Sequence, residues 1–347
     1  MTIEKLKAKA LDIEKYNFAY INCFVRAVSM EVERLLPGSS NYFISIYSFS
    51  RSFSNIKLNY DYRISKINGY NYNPDHKHEL NLLDKILNDY FGLKLKSFPT
   101  NEKTSIIELI TENVDNGKST LVPVNPSVLP FCDYYKEKKW IHWLYCNGYD
   151  KIKELILVED HVQFGMESTI YRPFRYTEEE IKKLHDSYNE VWSDVPSLNK
   201  CYSLDQFNNP RIFNDITFFK ELEVLLEYYI KHHKEIFHIE EIALVEEDYD
   251  LIFSLKHLKT IYNNTFCDLL YRNFEEEEKI RDLQTLAINI KNKWDTLARN
   301  TKLAQLRKKV IDQNEINMET SLIKELEYDY FVSLLKISKE MGRNDLK

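Results

Sequence analysis

The sequence has few of the residues that interrupt regular structure, with 7 glycines and 9 prolines among 347 residues. It contains no glycine-rich loop of the kind that holds nucleotide phosphates, which argues against a nucleotide-dependent ligase. No run of roughly 18 apolar residues occurs, so we expect no membrane span and no membrane partner. The net charge of −7 does not supply the broadly basic surface typical of nucleic-acid binding, so we expect no nucleic-acid partner.

Cysteine is also scarce. The five cysteines are irregularly spaced and include no Cys-x-x-Cys pair, so they predict neither a disulfide framework nor a zinc site. His76 and His78 stand in a polar segment without the further ligands that a metal site needs, and we expect no metal and no cofactor. The stretch MTIEKLKAKALDIEKY at the start is charged and lacks the apolar core of a signal peptide. These features favour a cytoplasmic protein.

The chain is long enough for two domains. A hydrophobic share of 44% can form a substantial core. Residues 1–165 hold 21 Lys and Arg against 20 Asp and Glu, whereas the remainder holds 26 against 34. Because this asymmetry accompanies a change to long helical patterns, we predict one domain at residues 1–170 and a mostly helical domain at residues 171–347.

Hydrophobic periodicity predicts both helices and strands in the first domain, so the expected fold class is α+β. We expect helices at 21–36, 78–92 and 104–117, and strands at 41–49, 119–125, 140–147 and 154–165. The last two strands should pair as an antiparallel hairpin, with Asn147-Gly148 read as the start of the turn. In the second domain we expect helices at 213–235, 239–272, 275–299, 302–312 and 318–341.

Three residues of the first domain have the types and order needed for thiol-based acyl transfer. Cys23 opens the first helix, where the helix dipole and free N–H groups favour a thiolate. His142 lies within an apolar strand. Counting outward from a turn near residue 150 or 151 places it opposite residue 159 or 160, within reach of Asp160 directly or diagonally. A carboxylate there would select the imidazole tautomer and stabilise the imidazolium.

The residues by themselves leave a structural interpretation open. A histidine in an apolar run is more often a hydrogen-bonded core residue than a catalytic base, and a buried cysteine is usually inert. Cys23 and His142 would then be core residues of a non-catalytic interaction protein. The spacing of Cys23, His142 and Asp160 supports the two interpretations about equally.

Segments around these three residues carry a resemblance. They are NCFVRAVSMEVERL around Cys23, HWLYCNGYD with LILVED around His142 and Asp160, and STLVPVNPSVLPFCDYY upstream. Their motifs resemble the papain-like cysteine protease superfamily, and more closely the N-terminal domain of acyltransferases of the butirosin biosynthesis protein H type. The resemblance covers residues 15–165, and members of that family often carry a helical C-terminal domain. A similar papain-like enzyme forms amide bonds in the closthioamide pathway.

The resemblance implies a papain-like first domain, in which a helix packs on an antiparallel sheet, with a catalytic triad of Cys23, His142 and Asp160. It implies that an acyl group moves from the phosphopantetheine thioester of an acyl carrier protein, through the enzyme cysteine, to a small amine. An amide bond would form without a cofactor, in the biosynthesis of a natural product such as a nonribosomal peptide-like antibiotic.

The chain departs from papain itself, because the motif C-G-[SA]-C-[WY] around the catalytic cysteine is absent. Papain-like peptidases place a glutamine six residues before the cysteine as an oxyanion donor. That position is Asn17 here, and its amide can donate the same hydrogen bond. The segment YYKEKKW forms a basic cluster of Lys136, Lys138 and Lys139, which is either a docking site for an acidic carrier protein or a solvated loop.

A cysteine peptidase that cuts a small or leader peptide would use the same residues, with water in place of the amine. The sequence does not distinguish this alternative from an acyltransferase. It also leaves open whether the helical domain completes an acceptor pocket or forms a homodimer contact.

Overall fold

The computed structural model describes residues 23–52, 74–99, 105–129, 136, 142–164, 168–192, 200–207, 214–236, 249–273, 277–307, 309 and 313–344. It combines helices with an antiparallel sheet, which confirms the α+β class. The helices are α1 (Cys23–Leu35), α2 (40–52), α3 (Pro74–Ile86, extended by a π-helical turn at Leu87–Phe91), α4 (Ile106–Asp115), α5 (Glu178–Trp192), α6 (Asp215–Ile236), α7 (Tyr249–Asn273), α8 (Glu277–Arg307) and α9 (Gln313–Asn344). The strands are β1 (Leu93–Pro99), β2 (Thr120–Val124), β3 (His142–Asp150), β4 (Leu155–Phe164), β5 (Ser168–Thr177) and β6 (Lys200–Gln206).

The chain divides into two compact units. The first comprises Met1–Phe43 and Tyr72–Ile212, and the second comprises Ile44–Asn71 and Phe213–Lys347. This division differs from the predicted boundary at residue 170. The reason is that β6 lies inside the sheet, between β1 and β2, and supplies backbone hydrogen bonds to a strand on either side.

The sheet has the strand order β1-β6-β2-β3-β4-β5, with every neighbouring pair antiparallel. Side chains alternate between the two faces along β3. Trp143 faces α1, where its ring lies 4.7 Å from the ring of Phe24. Leu144 faces the other side, in a core cluster with Ile110 of α4 and Leu184 of α5. Helices therefore cover both faces of the central strands, which is why β3 is almost continuously apolar.

The expected strand at 41–49 is wrong, because these residues form most of α2. Every described side chain from Tyr42 to Phe49 is buried. A helix that is buried on all sides has no polar face, so its aromatic and β-branched residues imitate a strand in the sequence.

The second unit is helical in its described residues. The ring of Phe49 lies 4.9 to 5.8 Å from those of Tyr229, Tyr262, Phe266 and Phe331, which belong to α6, α7, α7 and α9. The expected break near residue 300 is wrong, since α8 continues to Arg307. The expected helix from 239 begins at Tyr249 within the described residues, and 239–248 lie outside them. In the part of the chain that is described, no helix combines the length and the apolar character needed to cross a membrane.

Candidate active site

Cys23, His142 and Asp160 come from three elements of the first unit. Cys23 is the first residue of α1, His142 is the first residue of β3, and Asp160 lies within β4. The strands β3 and β4 pair as an antiparallel hairpin, which confirms that prediction. Because His142 stands at the beginning of its strand, its ring lies at the end of the sheet, where the first residue of a neighbouring helix can reach it.

The turn of this hairpin lies later in the chain than predicted. It occupies residues 151–154, and Asn147-Gly148 lies inside β3. Oδ1 of Asp150 accepts hydrogen bonds from the backbone N–H groups of Ile152 and Lys153 at 3.1 and 3.2 Å. The signal for the turn is therefore this aspartate, whose carboxylate binds backbone groups two and three residues ahead.

Asn147 is an extra residue in the ladder between β3 and β4. Tyr145 pairs with Glu159 on one side of it, and Gly148 pairs with Leu157 on the other. The strand thus contains a β-bulge, which sequence reasoning missed. A glycine inside a strand pattern is the available signal for a bulge, and the close approach of Leu157 to Gly148 explains why glycine stands there.

The bulge decides which side chains share a face with His142. Continuing the ladder beyond it places Asp160 opposite Leu144, two residues from His142 and on the same face. Without the extra residue, pairing outward from the turn would place Asp160 opposite Tyr145, on the face of the sheet away from His142. The bulge therefore brings Asp160 to His142.

His142 and Asp160 form a buried hydrogen bond. Nε2 of His142 lies 2.8 Å from Oδ1 of Asp160, with 8% of His142 and 1% of Asp160 exposed to solvent. With Asp160 as carboxylate, Nε2–H is the donor and the oxygen accepts. This bond selects the tautomer and leaves Nδ1 as the ring nitrogen that can exchange a proton with a nucleophile.

The His142 imidazole interacts with a second side chain, the thiol of Cys23. Burial by itself lowers the pKa of the His142 imidazole, but the charges of Asp160 and Cys23, and hydrogen bonds to both side chains, raise it well above its usual value. The arrangement thus favours a protonated imidazole between sulfur and carboxylate. His142 can hold the proton that the Cys23 sulfur must lose to become a nucleophile.

Cys23 also differs from the other described cysteines in its access to solvent. It is partly exposed, whereas Cys146, Cys201 and Cys267 are buried. Burial raises the pKa of all three buried thiols, that of Cys267 to about 12, which disfavours their thiolate forms. Within the described residues, Cys23 is therefore the thiol best suited to react with a substrate.

The remaining predicted site residues are placed only in part. Asn17 lies outside the described residues, as do Lys138 and Lys139. Lys136 is exposed, and its backbone N–H donates to the carbonyl oxygen of Ser127 at 2.9 Å. The described residues contain no group of three or more His, Cys, Asp and Glu side chains that could hold a metal ion.

No protein-family model matches the chain, and no curated protein matches it.

Proposed function

We propose that the chain is a cysteine-dependent acyltransferase with a papain-like catalytic unit. It moves an acyl group from a carrier-protein thioester to an amine, through an acyl-enzyme at Cys23, in natural-product biosynthesis. The observation that carries the proposal is the alignment of a partly exposed thiol, a buried imidazole and a buried carboxylate. A non-catalytic core would have no need to keep a carboxylate beside this imidazole and a thiol at the solvent boundary.

The proposed reaction begins when the proton of Cys23 moves to Nδ1 of His142. The thiolate attacks the thioester carbonyl, and the backbone N–H of Cys23 donates to the developing oxyanion. The carbon–sulfur bond of the donor breaks, and the donor thiol leaves with the proton from His142. The acyl group then forms a thioester with Cys23, and the imidazole is again neutral.

The second half transfers the acyl group to the amine. The amine attacks the Cys23 thioester, and His142 takes its proton as general base. The bond between the acyl carbon and the Cys23 sulfur breaks, the proton returns to the sulfur, and an amide is released. Because amides are more stable than thioesters, the step requires no nucleotide.

Amide synthesis is preferred to peptide hydrolysis because of the motifs around the site. The described part of the first motif, CFVRAVSMEVERL, forms α1, while HWLYCNGYD and LILVED form β3 and part of β4, so the segments that resemble butirosin-type acyltransferases contact one another around Cys23. The packing of α1 on an antiparallel sheet is consistent with a papain-like fold. The expected partners of this unit are the acyl carrier protein, which delivers the acyl group as a thioester, and the small amine that accepts it.

The test is the intact mass of the protein after incubation with a panel of acyl-carrier-protein thioesters. We expect one donor to add its acyl mass to the wild type and to Cys267→Ala, a matched variant that removes a buried cysteine, but not to Cys23→Ala. Amines added afterwards should release an amide faster than water releases the acid. Release of acid alone would instead support a hydrolase, and no acylation by any donor would refute the proposal.

Docking of the carrier protein is tested separately. Reversing the charges of Lys136, Lys138 and Lys139 with glutamate should raise KM for a carrier-bound donor and leave KM for the matching small N-acetylcysteamine thioester unchanged. Equal effects on both donors would show that the basic cluster does not bind the carrier.

A further inference from the structure

Glu31 is a carboxylate buried within the apolar face of α1. It is completely buried, and four donors reach its two oxygens. Oε1 accepts from the NH2 group of Arg34 at 2.6 Å and from the backbone N–H of Ser119 at 3.4 Å. Oε2 accepts from Nε of Arg34 at 2.8 Å and from the hydroxyl of Tyr145 at 2.6 Å.

A buried, paired carboxylate is not an efficient way to stabilise a helix on a sheet, because apolar residues of similar volume often do so equally well. The carboxylate instead fixes the geometry of the contact between α1 and the sheet. Hydrogen bonds restrict both the distance and the angle between donor and acceptor, whereas apolar contacts allow sliding. The bonds of Glu31 therefore set the position of α1 along β3, through Tyr145, and along the start of β2, through Ser119.

The elements that Glu31 joins are those that carry the nucleophile and its base. Cys23 precedes Glu31 on α1, and His142 precedes Tyr145 on β3. A second contact lies at the other end of the same pair of elements, where Phe24 packs on Trp143 with ring centroids 4.7 Å apart. Phe24 follows Cys23 directly, and Trp143 follows His142 directly.

These two contacts have complementary effects. Glu31 lies seven residues beyond Phe24, which corresponds to roughly 10 Å along a helix. The hydrogen bonds of Glu31 resist sliding of α1 along β3, and the second contact at that separation resists pivoting of α1 about Glu31. The distance between the Cys23 sulfur and the His142 ring is thereby set by contacts that involve neither residue.

We infer that Glu31 and Tyr145 are positioning residues, which act through α1 and β3 to hold the Cys23 thiol against the His142 imidazole. The inference rests on the proposed function of Cys23 as the nucleophile. It adds that reactivity at Cys23 depends on a polar contact two helical turns away, at residues that touch no substrate.

The experiment compares Tyr145→Phe with Tyr149→Phe. Both variants remove one hydroxyl from β3, and each hydroxyl donates to a carboxylate on a helix, which is buried at Glu31 and exposed at Asp115. The hydroxyl of Tyr145 donates to Glu31 of α1, and that of Tyr149 donates to Asp115 of α4. Tyr149→Phe thus controls for the loss of a hydroxyl–carboxylate bond that does not involve α1.

Two readouts require no substrate. The first is the rate at which iodoacetamide alkylates Cys23 across a range of pH. The second is the pKa of His142 measured by NMR, with Cys23→Ala marking the value that His142 has without the sulfur. We expect Tyr145→Phe to slow alkylation at neutral pH about tenfold, in line with the sensitivity of reacting groups to small displacements. The pKa of His142 should move toward its value in Cys23→Ala.

Tyr149→Phe should leave both readouts at their wild-type values. Glu31→Gln retains an oxygen that accepts from Tyr145 and should keep more of the Cys23 reactivity than Glu31→Ala. The inference is overturned if Tyr145→Phe matches wild type in both readouts, or if both tyrosine variants change them equally. It is also overturned if His142 has the same pKa with and without the Cys23 sulfur. If Tyr145→Phe changes the Cys23 and His142 readouts as expected but no acyl donor modifies Cys23, only the proposed function is refuted.

Discussion

Asp160 binds His142 diagonally across two strands, with Nε2 of the imidazole 2.8 Å from Oδ1 of the carboxylate. The ladder places Asp160 opposite Leu144 rather than opposite His142 itself. Diagonal neighbours on one face of an antiparallel pair are within reach of long side chains. The contact therefore depends on both residues facing the same side, which the bulge at Asn147 ensures.

Cys23 should be modified by thiol reagents before the other described cysteines. At neutral pH, iodoacetamide should label Cys23 more than about tenfold faster than Cys146, Cys201 and Cys267, because burial blocks access to these three and disfavours their thiolates. Peptide mapping by mass spectrometry after short exposure measures the rates. Equal labelling of the four sites in the folded protein would contradict the placement of Cys23.

Replacing Asp160 by asparagine should slow acyl transfer by roughly 10²-fold, within the range attributed to acid–base groups. The charge of Asp160 raises the pKa of His142, so its removal should lower that pKa. Activity that requires a protonated imidazole should then be lost at a lower pH than in wild type. The pH profile of kcat/KM checks the shift, and an unchanged alkaline limb would show that Asp160 does not act on His142.

The same pair should make stability depend on pH. The pKa of His142 is higher in the folded protein than its ordinary value of 6.5. Its stabilisation is therefore complete below pH 6.5 and is lost as the pH rises through the folded pKa. The free energy of unfolding should fall over that window by up to about 1.4 kcal/mol per pH unit. Urea titrations should give a smaller slope for Asp160→Asn, and equal slopes would contradict this origin.

Gly148 should not tolerate a side chain while Leu157 faces it. A Cβ at residue 148 would lie 2.9 Å from Cδ1 and 3.4 Å from Cβ of Leu157. Gly148→Ala should therefore lower the free energy of unfolding by about 1–3 kcal/mol, the usual range for overpacking. Denaturant unfolding in the Leu157→Ala background provides the control. There the same substitution should have much less effect, and an equal loss in both backgrounds would exclude the steric explanation.

The second unit contains a buried ion pair, and removing one of its partners should strongly lower the free energy of unfolding. Nζ of Lys259 contacts both oxygens of Glu327, and Nε1 of Trp294 donates to Oε1 of Glu327 at 2.9 Å. Glu327→Gln leaves the Lys259 ammonium without a neutralising charge and should cost about 3–5 kcal/mol of stability.

An exposed pair in the same unit is the matched control for this change. Nζ of Lys339 lies 2.5 Å from Oε1 of Glu227, with both side chains about half exposed. Glu227→Gln should change the free energy of unfolding by less than about 1 kcal/mol, since water and salt screen such pairs. If Glu327→Gln and Glu227→Gln lower the free energy of unfolding by similar amounts in thermal or urea unfolding, burial does not determine the cost of losing an ion-pair partner.

Local patterns were sufficient to predict α1, β2 and the β3–β4 hairpin. Each depends on the periodicity of one segment or on two strands that follow one another directly. The contact between His142 and Asp160 was expected from a turn placed too early and without the bulge at Asn147, so its geometry was not predicted. The same patterns failed at α2, where burial on all sides removes the polar face that distinguishes a helix from a strand. They also missed β6, since the sequence contains no local sign of which distant strands it will join.

The sequence by itself determined the chemical groups of the candidate site and most of the elements that carry them, because periodicity and residue type are local properties. Only the tertiary structure decided how these groups meet. The extra residue Asn147 shifts the register of β3 against β4 by one residue, so side chains before it point to the opposite face from the one they would otherwise occupy. A bulge exists only once the partner strand is paired, so it belongs to the tertiary structure. The buried bonds of Glu31 to Tyr145 and Ser119 likewise exist only after α1 has packed on the sheet, since their partners are far apart in the chain.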